Sequence, residues 1–170
     1  MFLLFSCWKE PDFPREPEIE FKAIEARTFF DEFSTGDKIE VKITLKFKDG
    51  DGNLGLDNGN PADSLEPFDF AEGKNKFHHN YFIDVLMEEN GEFVPLNLFF
   101  TFNGRFPLLN PDGKVRALEG DLVYTIDDFF LTFLPLTFQS GDRLKFRVSI
   151  ADRALNVSNV VETDPVQIFF

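Results

Sequence analysis

The stretch that decides the fold is residues 37–48, which read DKIEVKITLKFK. Apolar and polar residues alternate strictly along this stretch, and successive side chains of a β-strand point to opposite faces of a sheet. We therefore expect a strand with one buried face and one face exposed to water. Residues 143–150, RLKFRVSI, show the same alternation much later in the chain. Both patterns predict strands of a sheet that covers a core on one side only.

The rest of the chain contains further short strand candidates separated by turn signals. The candidates are residues 18–23, 80–88, 93–102, 122–126, 130–138 and 160–169. Asn90-Gly91 between two of them is a strong hairpin signal, because both residues tolerate a positive φ. No stretch has the pattern of a convincing amphipathic helix, and residues 23–33 are the only stretch in which a turn of one would fit. The sequence therefore predicts an all-β protein, an antiparallel β-sandwich of about seven to eight strands, with a closed barrel as the alternative.

Length and composition narrow the class of protein further. With 170 residues the chain suffices for one domain of ordinary size. The 17 Lys and Arg residues against 30 Asp and Glu residues give a net charge of −13. This charge argues against nucleic acid as a partner, because a phosphate-binding surface needs clustered Lys and Arg. No apolar run approaches the ~20 residues of a membrane span. The single cysteine, Cys7, excludes a disulfide within these residues.

The first residues resemble a bacterial lipoprotein signal. Residues 4–7, Leu-Phe-Ser-Cys, match the lipobox pattern, in which a small residue precedes the cysteine that receives the lipid. Because the apolar stretch is short and lacks a basic start, we interpret residues 1–7 as a truncated signal ending at a lipidated Cys7, and expect the reading frame to begin upstream. An ordinary thiol is the alternative. Residues 8–17 carry three prolines and predict an extended tether, followed by one domain over residues 18–170.

Several stretches taken together resemble an uncharacterised family of Bacteroidota lipoproteins. The most specific are residues 47–56, FKDGDGNLGL, and residues 152–156, DRALN. Starting from Cys7, the others are residues 11–14, 17–21, 103–107, 118–120 and 158–159. The resemblance covers nearly the whole chain and implies an immunoglobulin-like β-sandwich domain. It also implies a location in the cell envelope, at the outer membrane or in the periplasm, including display at the cell surface. It implies no enzymatic activity.

The side chains that catalysis would need are sparse in this sequence. The two histidines, His78 and His79, are adjacent, so a strand would point them to opposite faces. No Gly-x-Ser-x-Gly motif is present, and Cys7 precedes the predicted domain. We therefore expect a protein that is not an enzyme and has no catalytic residues.

Glycan binding, as an accessory lipoprotein of a polysaccharide-utilisation system, is the alternative function. Sugar-binding surfaces usually present Trp and Tyr, whose polar tips tolerate water. The chain has 24 Phe but one Trp and two Tyr, and Trp8 lies in the tether. Tyr81 and Tyr124 are then the candidates that remain in the domain, which weakens this alternative.

A cation site is the clearest candidate for a bound ligand. Residues 49–53, Asp-Gly-Asp-Gly-Asn, place oxygen donors at alternate positions, with glycines that let the backbone curl around an ion. Calcium takes six to eight such oxygens. The EF-hand pattern then fails, because its sixth and twelfth positions hold Leu54 and Asn60. In an immunoglobulin-like sandwich, the loop after the second strand and the loop between the last two strands lie at the same end.

The predicted metal site therefore combines two loops. Its candidate ligands are Asp49, Asp51, Asn53, Asp57, Asp152 and Asn156. Clustered carboxylates repel one another without a counter-ion, which favours a structural calcium, whereas a solvated Asp-Gly turn without metal is the alternative. The sequence thus predicts a non-enzymatic, envelope-anchored lipoprotein that acts as a binding or structural module. Its predicted partners are the membrane, through the lipid, and a protein or glycan.

Overall fold

The computed structural model describes residues 11–133 and 136–170, and the regular secondary structure of these residues is almost entirely β. The strands are β1 (Glu18–Asp31), β2 (Gly36–Asp49), β3 (Tyr81–Glu89), β4 (Glu92–Pro95), β5 (Leu118–Phe130), β6 (Thr132–Phe133), β7 (Leu136–Thr137), β8 (Arg143–Ile150), β9 (Val161–Glu162) and β10 (Val166–Gln167). Three short 3-10 turns lie between β2 and β3, at Pro61–Ser64, Ala71–Gly73 and Lys76–His78. No helix within the described ranges is long and apolar enough to cross a membrane.

The strands form two antiparallel sheets that pack against each other. One sheet has the order β1-β2-β5, and the other has the order β10-β8-β3-β4 with β9 also paired to β8. The short strands β6 and β7 form a separate ribbon. In the described part of the chain, no hydrogen-bonded strand pair joins the two main sheets, so the protein is a sandwich and the alternative barrel is wrong. The predicted class, an all-β immunoglobulin-like sandwich, is confirmed.

The core lies between the two alternating strands on which the prediction rested. The inward residues of both strands are fully buried and belong to one hydrophobic cluster: Ile39, Val41, Ile43 and Leu45 from β2, and Leu144, Phe146, Val148 and Ile150 from β8. On β2 the intervening residues Lys42, Lys46 and Lys48 are exposed. Strict alternation therefore predicted both the strands and their buried faces correctly.

Several predicted elements differ from the observed ones. The strand predicted over residues 130–138 is divided among the end of β5, β6 and β7, and the strand predicted over residues 160–169 is divided into β9 and β10. The region proposed for a turn of helix, residues 23–33, instead continues β1 as far as Asp31, which pairs with Gly36. An isolated helical turn is costly to nucleate, and this segment gains ladder hydrogen bonds from β2 along its length. The strand predicted over residues 93–102 is shorter, because β4 ends at Pro95; the next residue, Leu96, still donates its N–H to the carbonyl oxygen of Val85 at 2.8 Å.

Candidate metal centre

Three aspartates meet at one end of the sandwich, where two loops leave the sheets. Asp49 is the last residue of β2, Asp51 follows in the loop to β3, and Asp152 comes shortly after β8. One carboxylate oxygen from each of the three lies within 4.8 Å of the other two. The two sheets therefore bring together Asp49, Asp51 and Asp152, as the sequence predicted, and ion binding itself stays a prediction.

Backbone contacts hold the two loops of this site together. The N–H of Arg153 donates a hydrogen bond to the carbonyl oxygen of Asn53 at 3.3 Å, and Leu54 forms an isolated β-bridge with Asp152. Gly52 has a φ of +70°, and a Cβ there would lie 2.5 Å from a backbone carbonyl oxygen. Only glycine fits this position, so it allows the loop to curl around the carboxylates.

The carboxylates are held in an environment that disfavours their charge. Asp49 and Asp152 are almost completely buried, and Asp51 is half-buried. Burial, and next the charge of Asp51, raises the pKa of Asp49 from its ordinary 3.8 to about 6. The backbone N–H of Asn53, 3.0 Å from Asp49 Oδ2, offsets part of this rise in pKa. Ionising the group therefore costs free energy unless a positive charge accompanies it.

Three buried oxygen atoms of this loop have no hydrogen-bond partner among the described residues: Asp49 Oδ1, Asp51 Oδ1 and Asn53 Oδ1. Leaving a buried acceptor without a partner costs about 1–3 kcal/mol. Asn53 carries no charge, and its unpartnered oxygen adds a fourth candidate donor from the same loop. The donors are all oxygen, which suits calcium or magnesium and not zinc. The residues present thus fit a hard divalent cation.

The predicted ligands Asn156 and Asp57 make other contacts. Asn156 donates hydrogen bonds to both oxygens of Asp152, from its backbone N and from its Nδ2, each at 2.8 Å. Asn156 therefore orients Asp152. Asp57 is exposed, and its Oδ1 accepts a hydrogen bond from the N–H of Gly59 at 2.8 Å. Its carboxylate does not belong to the group of three.

Sequence reasoning missed Asn110, which supports the candidate ion loop from a third segment. Asn110 is almost completely buried, and its Nδ2 donates to the carbonyl oxygens of Gly52 at 3.2 Å and Lys114 at 2.6 Å. It precedes the turn predicted from Pro111-Asp112-Gly113, and that turn signal contains no indication of burial. The residue could be identified only from the packing of this segment against residues 52–54.

A buried ion pair beside the aspartates was also missed. Asp63 is fully buried in the turn Pro61–Ser64, and Nη1 of Arg153 lies 2.6 Å from its Oδ2. The same Oδ2 accepts the N–H of Asp57 at 2.7 Å. Because Arg153 directly follows Asp152, one short segment supplies a carboxylate to the candidate site and a counter-charge to the long loop between β2 and β3.

The tyrosines considered for glycan binding contact each other. Tyr81 is fully buried, and its ring stacks on that of Tyr124 with a centroid distance of 4.4 Å. Tyr124 is half-buried, and its hydroxyl donates to the carbonyl oxygen of Phe102 at 3.1 Å. Neither ring is free to form an exposed sugar platform. Cys7 and Trp8 lie outside the described residues.

No protein-family model, curated protein or solved structure matches this chain. The fold and the site define an immunoglobulin-like β-sandwich with a candidate cation site between two loops at one end.

Proposed function

We propose that the protein is a non-enzymatic, lipid-anchored module of a bacterial cell envelope, with a structural calcium ion at Asp49, Asp51 and Asp152. The observation that carries the proposal is the group of clustered carboxylates, of which Asp49 and Asp51 each have one oxygen without a hydrogen-bond partner among the described residues. A cation at this point removes the repulsion between the carboxylates and supplies the missing partner. The module then binds or supports an envelope partner, and the ion stabilises the fold because it binds the native state alone.

Calcium fits this arrangement better than magnesium. The donors belong to two separate loops, and calcium accepts irregular arrangements of six to eight oxygens. Magnesium requires a nearly ideal octahedron and usually retains several waters. Asp49 and Asp152 are almost completely buried, which leaves little access for such waters. We therefore expect the site to prefer the larger ion.

Calcium is expected to raise the melting temperature of the full chain. At a calcium concentration 100-fold above Kd, the native state gains about 2.7 kcal/mol. For a domain of this size that corresponds to a rise on the order of 5–10 °C. The measurement is thermal unfolding in millimolar calcium and in EGTA, with magnesium at the same concentration for comparison. Magnesium should produce the smaller rise.

Two matched variants locate the source of this melting-temperature shift. Asp51→Asn removes one carboxylate of the group and is expected to lose most of the shift. Asp57→Asn makes the same change in charge at an exposed position of the same loop and is expected to keep it. A wild-type melting temperature that is identical in calcium and EGTA would refute the ion site. Loss of the shift in Asp57→Asn would contradict the assignment of ligands.

The proposed anchor rests on Cys7 and on the segment that follows it. Residues 4–7 match the lipobox pattern, and the proline-containing residues 11–17 lead to the start of β1 at Glu18. Segments rich in proline are extended and stiff, which suits a spacer between a membrane and a folded domain. Stable anchoring requires more than one acyl chain, and the several chains of a bacterial lipoprotein meet that requirement.

Cys7→Ser is expected to release the protein from the membrane when the whole gene is expressed in a lipoprotein-processing bacterium. The wild type should enter the detergent phase in a phase-separation assay, and the variant should stay in the aqueous phase. Ser6→Ala, which keeps a small residue before the cysteine, serves as the control and should behave as the wild type. Equal partition of the wild type and Cys7→Ser would contradict a lipid anchor.

A further inference from the structure

Three of the edge strands of the two main sheets are short or covered. An edge strand presents a row of unpaired N–H and C=O groups, so proteins usually shorten or cover it. β10 has two residues, and β4 ends at Pro95 after four residues. β1 is covered by the C-terminal residues: Asn159 Oδ1 accepts the N–H of Ile19 at 2.9 Å, and Asn159 Nδ2 donates to the carbonyl oxygen of Ile19 at 2.8 Å. Further along β1, the hydroxyl of Thr28 donates to the carbonyl oxygen of Phe169.

The remaining edge strand, β5, is long and open. It has 13 residues and pairs with β2 along one side. Along its other side, its backbone forms no hydrogen bond with any residue in the ranges 11–133 and 136–170. Val123 is 50% exposed, and Thr125 is exposed as well. β5 therefore presents unpaired backbone donors and acceptors with which a further strand can pair.

The outward face of β5 is acidic. Glu119, Asp121 and Asp127 are exposed there, and neither Glu119 nor Asp127 forms an ion pair with another described residue. If two copies of β5 paired antiparallel with full overlap, Asp121 of one copy would lie opposite Asp127 of the other. Like charges directly opposite each other destabilise a strand pair. The acidic face thus opposes pairing with a second copy and favours a basic partner.

The strand already paired with β5 shows which side chains suit this face. β2 places Lys48 opposite Glu119 and Lys46 opposite Asp121. Lys22 of β1 also forms an ion pair with Asp121. Lysine at alternate positions of a neighbouring strand therefore complements the charges of β5, because alternate residues lie on the same face of a sheet.

We propose that the open edge of β5 binds an extended segment of a partner protein in which basic residues alternate with apolar or β-branched ones. Main-chain hydrogen bonds give such a strand its affinity, and the alternate side chains give it specificity. The basic side chains lie on the outward face, beside Glu119 and Asp127. The inference rests on the proposed function in one respect, because it names the partner class of the binding module. It requires neither the ion nor the lipid anchor.

A synthetic peptide tests whether this edge accepts a strand. The probe is a capped decapeptide in which Lys alternates with Val and Thr, and its binding to the full chain is measured by fluorescence anisotropy. Hydrogen exchange should slow at the amides of β5 when the peptide binds. Two further peptides carry N-methyl groups on alternate residues, one peptide for each of its two edges. One of them should bind about tenfold or more weakly, since it lacks the N–H groups that face β5, and the other should bind like the unmodified peptide.

Matched charge reversals separate strand pairing from general attraction to a chain of net charge −13. The double variant Glu119→Lys with Asp127→Lys should weaken peptide binding about tenfold or more. Glu18→Lys with Glu25→Lys makes the same change at exposed positions of β1, the covered edge of the same sheet, and should bind like the wild type.

Three results would overturn the proposal: no binding at millimolar peptide, equal binding of the two methylated peptides, or equal loss of binding in the two double variants. The calcium test is independent of these measurements. A melting temperature indifferent to calcium would remove the ion site and leave peptide binding at β5 unchanged, whereas a silent peptide would leave the ion site unchanged.

Discussion

Asp49→Asn is expected to make the calcium-free protein more stable at neutral pH and to abolish the effect of calcium. Burial, and next the charge of Asp51, raises the pKa of the Asp49 carboxyl from 3.8 to about 6. A difference of this size between the unfolded and folded pKa values corresponds to about 3 kcal/mol. The neutral amide has the same shape and can still accept the hydrogen bond from the N–H of Asn53, but it avoids the cost of a buried charge.

The same carboxyl gives the calcium-free protein a pH dependence of definite sign. Because its pKa is higher in the folded state, its stabilising contribution is complete below about pH 4 and is lost as the pH rises through about 6. Calcium binds the ionised carboxylate, so stabilisation by calcium increases over the same range. Relative to Asp49→Asn, the wild type should therefore lose stability with rising pH in EGTA and gain stability in calcium.

Denaturant unfolding from about pH 4 to about pH 7, in EGTA and in calcium, measures both effects. Asp57→Asn is the matched control, because it removes an exposed carboxylate of the same loop and should follow the wild type. A calcium-free Asp49→Asn protein that is less stable than the wild type at neutral pH would contradict the hypothesis. It would show that protein groups alone stabilise the carboxylate and that no ion is needed.

Arg153→Ala is expected to destabilise the protein by about 3–5 kcal/mol, because it leaves a buried charge without its counter-charge. Asp63 is 0% exposed, and Arg153 Nη1 lies 2.6 Å from its Oδ2. Its other oxygen, Oδ1, already lacks a hydrogen-bond partner within the described residues. The backbone N–H at position 153, which donates to the carbonyl oxygen of Asn53, is kept in this variant, so the loss of stability comes from the side-chain pair.

Two further variants test whether the loss of stability in Arg153→Ala comes from the unpaired charge. Arg153→Lys keeps the charge with poorer geometry and should lose less stability than Arg153→Ala. The double variant Arg153→Met with Asp63→Asn should recover most of the loss, because neither residue then leaves a buried charge. Urea unfolding of all three variants in EGTA provides the comparison. A loss below about 1 kcal/mol in Arg153→Ala, the value of an exposed ion pair, would show that this pair does not hold the loop.

Local sequence patterns were sufficient to predict the central strands and one hairpin. Alternation over residues 37–48 and 143–150 predicted β2 and β8 with their buried faces. Asn90-Gly91 predicted the turn between β3 and β4, where both residues adopt a positive φ, +53° and +87°. These features depend on neighbours in the chain, because side-chain direction alternates residue by residue and a two-residue turn requires only two backbone conformations.

The position of Asp152 beside Asp49 could be predicted only in part from the sequence. The residue types at 49–53 showed the oxygen donors, and the predicted fold placed the two loops at one end. The sequence could not separate the roles of the remaining candidates. Only the structure shows that Asn156 orients Asp152 and that Asp57 faces solvent, because those roles depend on side-chain direction within irregular loops.

The tertiary structure alone decided what supports the candidate site. Three features have no local signature in the sequence: the burial of Asn110, the ion pair of Asp63 with Arg153, and the hydrogen bond from the Gly50 N–H to the carbonyl oxygen of Pro14. Periodicity reports which face of a strand is buried, since it depends on adjacent residues. Burial of a polar group and its charge partner depend on distances in space between distant parts of the chain, and these are set only when the two sheets pack.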